Sequence, residues 1–144
     1  RRTYTTAIAI LKLASVVGAI IHSSKPGNAI PTKSRSVPIR FENRITKNIQ
    51  ITKESSKFQL LKMEAERALE QVEGVFDLIF LDPPYAKEQI VADIEKMAEK
   101  NLFSEDVMVV CETDKSVELP EEIACLGIWK EKIYGISKVT VYVR

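Results

Sequence analysis

Glycine and histidine are scarce in this chain. Of 144 residues five are glycine, and before residue 75 they are Gly18, Gly27 and Gly74, no two of them one residue apart. A turn in which paired glycines let the backbone close on a ligand at positive φ is therefore missing from the first half. One histidine, His22, and two cysteines, Cys111 and Cys125, without metal-ligand spacing argue against a zinc site or a Ser-His triad. Both cysteines stand in apolar surroundings, so they are expected to be reduced and buried, as in a cytoplasmic protein. Long apolar runs are lacking too. The stretch Ala7 to Ile21 is fifteen residues with Lys12 inside, too short for a comfortable membrane span. A buried helix or a strand pair is the expectation there, with no membrane partner.

Acids are nearly absent from the first third. Residues 1–53 hold ten Lys/Arg against the single acid Glu42, a net +9, whereas residues 54–144 hold eleven against nineteen, a net −8. The overall +1 hides this split. It fits a basic arm for nucleic acid joined to a catalytic body, and equally a solvated basic face with no partner. Otherwise 45% hydrophobic and 28% charged residues are ordinary for one soluble domain.

The second half alternates strand and helix signals. "KFQLLKM" (57–63) reads as a strand and "EAERALEQV" (64–72) as a helix with Ala65, Ala68, Leu69 and Val72 on one face. "FDLIFL" (76–81) has the unbroken apolar character of a buried parallel strand. "AKEQIVADIEKMAEKNL" (86–102) is an amphipathic helix with a stripe through Ile90, Ile94, Met97 and Leu102. "DVMVVCET" (106–113) is a further buried strand, and "ELPEEIACL" (118–126) reads as a short helix with Pro120 near its start. Trp129, Glu131 and Ile133 share one face of "GIWKEKIYG", and Val139, Val141 and Val143 one face of "SKVTVYVR"; Gly135-Ile136 between them predicts an antiparallel hairpin. The expected fold is α/β, a mostly parallel Rossmann-like sheet with a C-terminal antiparallel hairpin. Residues 42–144 form that domain, behind a basic segment, 1–41, whose structure is not legible.

The apolar run at 76–81 stops in Asp82-Pro83-Pro84-Tyr85. Two successive prolines fix φ, remove two N–H groups and make a stiff loop. The Asp82 carboxylate and the Pro83 carbonyl then become two fixed acceptors with a Tyr ring beside them. Such a site suits a planar group with an exocyclic –NH₂, whose two N–H bonds the acceptors grip while the ring stacks on its face. Held that way, the nitrogen is pushed toward a pyramidal form and its lone pair is aimed, so positioning does much of the work.

Asp-Pro-Pro-Tyr at the end of a fourth strand resembles the signature of S-adenosylmethionine-dependent methyltransferases acting on exocyclic base amines. With "KFQLLKMEAERALEQ", "VMVVCETDKSVELPEEI" and "YGISKVTVYVR", the stretch from about Ile45 to Arg144 is similar to the RsmD family of 16S ribosomal RNA guanine-N(2) methyltransferases. The resemblance implies S-adenosylmethionine as cofactor, ribosomal RNA as partner, and Asp82, Pro83, Pro84 and Tyr85 as catalytic residues. It implies that Glu64 meets the cofactor's adenine, and Glu42 its ribose hydroxyls. Glu64 is equally readable as an acid favouring a helix N-terminus.

The departure lies upstream. The family builds its cofactor turn on a "D-x-F-x-G-x-G" pattern that residues 1–41 do not contain. That segment is open to three readings: divergent, rearranged, or misread through a frameshift. An open or malformed cofactor pocket is the expectation. Two rival functions stand beside the leading one: a DNA adenine or cytosine amino-methyltransferase, and an inactive RNA-binding relative without its cofactor loop.

Overall fold

The computed structural model describes residues 6–13, 16–23, 46–51, 58–61, 65–83 and 86–144. In chain order these form β1 (Thr6–Leu13), β2 (Val16–Ser23), a helical stretch α1 (46–51), β3 (Phe58–Leu61), α2 (Ala65–Gln71), β4 (Phe76–Asp82) and α3 (Ala86–Glu99). There follow β5 (Phe103–Asp114), β6 (Glu122–Ile123), β7 (Leu126–Tyr134) and β8 (Ser137–Val143). The strands make one sheet in the order β3-β2-β1-β4-β5-β8-β7-β6. The α/β class expected from the sequence is the class observed.

The parallel part is narrower than expected. β4 runs parallel to β1 and to β5, while β1–β2, β2–β3, β5–β8, β8–β7 and β7–β6 are antiparallel. The extra antiparallel pairing has a simple cause. Only two residues separate Leu13 from Val16, and a parallel partner would need a crossover of about a dozen residues or more. The apolar stretch 7–21 is thus a strand pair, one of its two expected forms.

α2 and α3 pack on one face of the sheet. Ile90, Ile94 and Met97 of α3 and Ala68 and Leu69 of α2 join Ile79 and Leu81 of β4 and Val109 and Cys111 of β5 in a single buried cluster. α3 ends in a Schellman arrangement. Asn101 takes φ 55, its N–H donates to the Ala98 carbonyl, and the Leu102 N–H donates to the Met97 carbonyl. Lys100, just before that turn, sends its ammonium to the carbonyls of Leu69, Glu70 and Val72, satisfying the C-terminal end of α2. Lys96 of α3 also pairs with Glu66 and Glu70 of α2, so the two helices are held by cations as well as by apolar contact.

Several expectations are corrected here. The run at 76–81 predicts a strand buried on both faces, yet Phe80 is 41% exposed, because α2 and α3 cover the face of Ile79 and Leu81. Residues 118–126 are not a helix. Leu119, Ile123 and Leu126 are buried at a spacing that imitates one, but Ile123 pairs with Leu126 across a two-residue turn in which Ala124 has φ 54. The Tyr142 hydroxyl donates to the Pro120 carbonyl, and the Ile128 N–H donates to that of Glu121, which holds this segment extended.

In β7 the register slips between Ile128 and Lys130, so Trp129 is the additional residue of a β-bulge. Trp129 thus drops out of the alternation predicted for it with Glu131 and Ile133. Gly135, at φ +61, is the first of the two residues linking Tyr134 to Ser137. Cys111 is buried as expected, with a thiol pushed up to about 12 by burial, but Cys125 is exposed in the β6–β7 turn.

One stripe residue is out of character. Asp93 lies on the buried side of α3, 2% exposed; its Oδ1 accepts from Gln89 Nε2 at 2.8 Å and its Oδ2 has no partner. Burial raises its pKa from 3.8 to about 6, with the Gln89 hydrogen bond opposing, Glu66 adding and Lys96 opposing. Folding disfavours the ionised form, so the cost is absent below 3.8, grows as pH rises toward about 6, and is complete above it. Asp93→Asn should raise stability at pH 7 by on the order of 2 kcal/mol and flatten that pH dependence. Urea melts of the two proteins across this range check it; parallel pH profiles would contradict the assignment.

Candidate active site

The carboxyl end of β4 is where the strand order reverses. From β1 the chain moves outward to β2, whereas from β4 it moves the other way to β5, so the crevice lies between the ends of β1 and β4. Ligands of open α/β sheets bind at such a point. Asp82 is the last residue of β4 and stands in register with Leu11 of β1. On its other side Leu81 pairs with Cys111, which sets Asp82 level with Glu112 of β5.

Local sequence explains the geometry. Ile79 and Leu81 are drawn into the α2–α3 core, so the residues alternating with them, Leu78, Phe80 and Asp82, take the opposite face. Asp82 is half-buried there and Pro83 buried. α3 begins at Ala86, so strand becomes helix within a few residues of the acid. Pro84, Tyr85, Glu64 and Glu42 lie outside the described residues. The link in which Glu64 falls leaves β3 after Leu61 and enters α2 at Ala65. β3 points the same way as β4, since both β3 and β1 run against β2. The carboxyl end of β3 therefore lies at the end of the sheet where Asp82 stands.

The surroundings carry further acid. Glu112 is exposed on β5, and Asp114 ends that strand. The Ser116 N–H and hydroxyl both donate to Asp114 Oδ1, at 2.9 and 2.6 Å, which holds that carboxyl below the usual carboxylate range.

A buried polar group near the same end was not legible in the sequence. Lys138 of β8 is 4% exposed, with its ammonium 3.4 Å from Glu118 and 3.9 Å from Glu131, while Thr140 donates to Glu131 at 2.9 Å. The only signal was alternation: once Val139, Val141 and Val143 share one face, Lys138, Thr140 and Tyr142 must share the other. A groove of about 510 Å³ between Asp106, Met108, Trp129 and Arg144 lies at the opposite end of the sheet from Asp82.

Of the expected amine-binding half, Asp82 and Pro83 thus stand at the carboxyl end of β4. The methionine-binding half of the cofactor site does not fit the described residues. β1 is followed after two residues by β2, which runs straight back, so among the described residues no helix N-terminus faces the crevice from the end of β1. Gly18 is paired within β2, opposite Leu11, and forms no turn.

Comparison with known proteins adds independent evidence. The sequence pattern of the family described as "Conserved hypothetical protein 95" matches residues 40–143. "Putative rRNA methyltransferase YlbH" of Bacillus subtilis is 35% identical over 99 residues, covering 67% of this chain and 52% of that protein. This chain therefore spans about half the length of that relative. Among solved structures, a conserved hypothetical protein of Streptococcus pyogenes is 68% identical at TM-score 0.70, covering 74% of this chain and 66% of its own. "Putative methylase HI0767" of Haemophilus influenzae is 27% identical at TM-score 0.58, over 70% of this chain and 58% of that one. "Putative methyltransferase yhhF" of Escherichia coli, 20% identical at TM-score 0.62 over 71% and 57%, shares the fold.

The geometry at the end of β1 leads to a prediction for the cofactor. Calorimetry of this chain with S-adenosylmethionine should give a Kd of about 0.1 mM or weaker, a few kcal/mol short of a micromolar site. Micromolar binding would show that the pocket is completed by another route.

Proposed function

The chain belongs to the RsmD-like family described as Conserved hypothetical protein 95, and we propose on that premise that it is an S-adenosylmethionine-dependent RNA methyltransferase domain. Its target in this reading is the exocyclic amino group of a guanine in 16S ribosomal RNA, met in the cytoplasm. The observation that carries the proposal is the position of Asp82 and Pro83 at the carboxyl end of β4, beside the reversal of strand order. The ribosomal substrate in the name of the Bacillus relative favours RNA over the DNA alternative.

The chemistry asked of the chain is modest. Guanine presents an –NH₂ at N2. The Asp82 carboxylate accepts one N–H and the Pro83 carbonyl the other, while Tyr85 stacks on the ring and Pro84 keeps the loop stiff. Glu64 and Glu42 take the adenine and ribose ends of the cofactor. S-adenosylmethionine, when bound, supplies an electrophilic methyl group. The protein's part is to fix the amine so that its lone pair points where that group arrives, which requires no strong base.

A second reading has one observation in its favour. Among the described residues β1 is followed by the antiparallel β2 and not by a helix, which an RNA-binding relative without transfer activity would also accommodate.

Two substitutions test the leading reading at millimolar S-adenosylmethionine, where a weak cofactor site is still filled. Asp82→Ala should lower methyl transfer to RNA by about 10²-fold or more with the far-UV spectrum unchanged; transfer within a fewfold of the parent would remove Asp82 from the site. Tyr85→Ala should weaken RNA binding by roughly 1–3 kcal/mol and leave cofactor binding intact, with Tyr85→Phe mild. Equal losses in the two titrations would mean that Tyr85 serves packing instead.

A further inference from the structure

We propose that the outer face of β7, presenting Lys130, Lys132 and Tyr134, is a docking strip for single-stranded RNA that leads to the Asp82 loop. The inference rests on the reading of this chain as an RNA-directed domain.

The three side chains share one face because they occupy alternate positions past the Trp129 bulge, pairing with Val141, Val139 and Ser137 of β8. All three are exposed, Tyr134 by 56%, and the Lys132 ammonium sits 5.0 Å from the centre of the Tyr134 ring. The same face carries Asp82. Asp82 is level with Glu112, which pairs with Val139, which pairs with Lys132, so one row of the sheet runs from the candidate acceptor to the lysine. Three strand spacings separate them, about 14 Å. The row below is Phe80, Val110, Val141 and Lys130, and the row above ends at Tyr134, next to Ser137 and Asp114.

A short single strand whose target base sits in the Asp82 loop can therefore lay its neighbours along β7. Alternate strand residues stand about 6.7 Å apart, the scale of one step along an extended nucleic acid backbone. Two lysines meet phosphates and the tyrosine takes a base on its face, the combination by which proteins hold single strands.

A simpler role for these charges is to keep the sheet edge from pairing with another chain, since β6 covers β7 only at Leu126 and Gly127. That role accounts for Lys130, Glu131 and Lys132. It leaves Trp129, at 62% exposure, and Tyr134 unexplained, because exposed aromatic rings promote the association that edge charges prevent. Continuity with the Asp82 row favours RNA.

The test is fluorescence anisotropy of the full chain with a labelled guanine-containing single-stranded RNA, over a range of salt concentrations. Lys130→Ala/Lys132→Ala should lower the slope of log K against log salt by about 1.4, roughly 0.7 for each lost phosphate contact. Tyr134→Ala should weaken binding about tenfold at every salt concentration without changing the slope, and Tyr134→Phe should restore it. Binding by the parent chain that survives these substitutions with slope and affinity unchanged overturns the strip alone. Absence of RNA binding by the parent chain overturns both the strip and the reading beneath it. Loss in the lysine variant without a change of slope assigns the lysines to the fold and overturns the proposal.

Discussion

The candidate site depends on the parallel pairing of β4 with β1 on one side and β5 on the other. That pairing buries Ile79 and Leu81 against α3 and so forces Asp82 to the opposite face, at the strand's end. A slip of one residue would exchange the two faces, sending Asp82 toward the helices and Leu81 out. Packing of two aliphatic side chains thus sets the direction of an acid on the opposite face. Pro83 then ends the strand, because a proline cannot donate to the ladder. The core and the site are two consequences of one register.

The sheet around this strand uses polar groups as well as apolar ones. Lys100 ties the end of α2 to the end of α3 through three carbonyls, a contact that replaces water at orphaned acceptors. β8 buries Lys138, Thr140 and Tyr142 toward the cluster side and leaves its valines half-covered. Each of the three finds a partner, Glu118, Glu131 or the Pro120 carbonyl, as buried polar groups must. Among the described residues the exceptions are Asp93 Oδ2, Ser104 Oγ and Thr113 Oγ1, and burial holds the Asp93 carboxyl toward the neutral form.

How much of this was legible follows from the kind of signal each element carries. β4, α3 and β5 combine a strong period with enough length, and their order was readable, as was the Asp82 loop on the end of β4. Residues 118–126 misled because Leu119, Ile123 and Leu126 are buried at helical intervals by an extended segment that turns back at Ala124. The Trp129 bulge could not be seen, since a bulge is defined by the partner strand and not by its own residues. Phe80 marks a different gap: an apolar run reports the strand but not whether both its faces are covered. In residues 1–41 the glycine count reported only that a family-type glycine turn is missing, whereas the antiparallel pairing of β1 with β2 had no sequence signal of its own. Of the candidate site, Asp82 and Pro83 have a described position, whereas Glu42, Glu64, Pro84 and Tyr85 lie outside the described residues.

The central claim is that the end of β4 recognises an exocyclic amine. Nuclear magnetic resonance of labelled protein, titrated with a short RNA holding one guanosine and then with the same RNA holding inosine, tests it directly, because inosine lacks only the 2-amino group. The account predicts that the Asp82 carboxylate carbon and the neighbouring backbone shift with guanosine and respond far less to inosine. Equal shifts with both RNAs, or none at Asp82 while other residues respond, would contradict it.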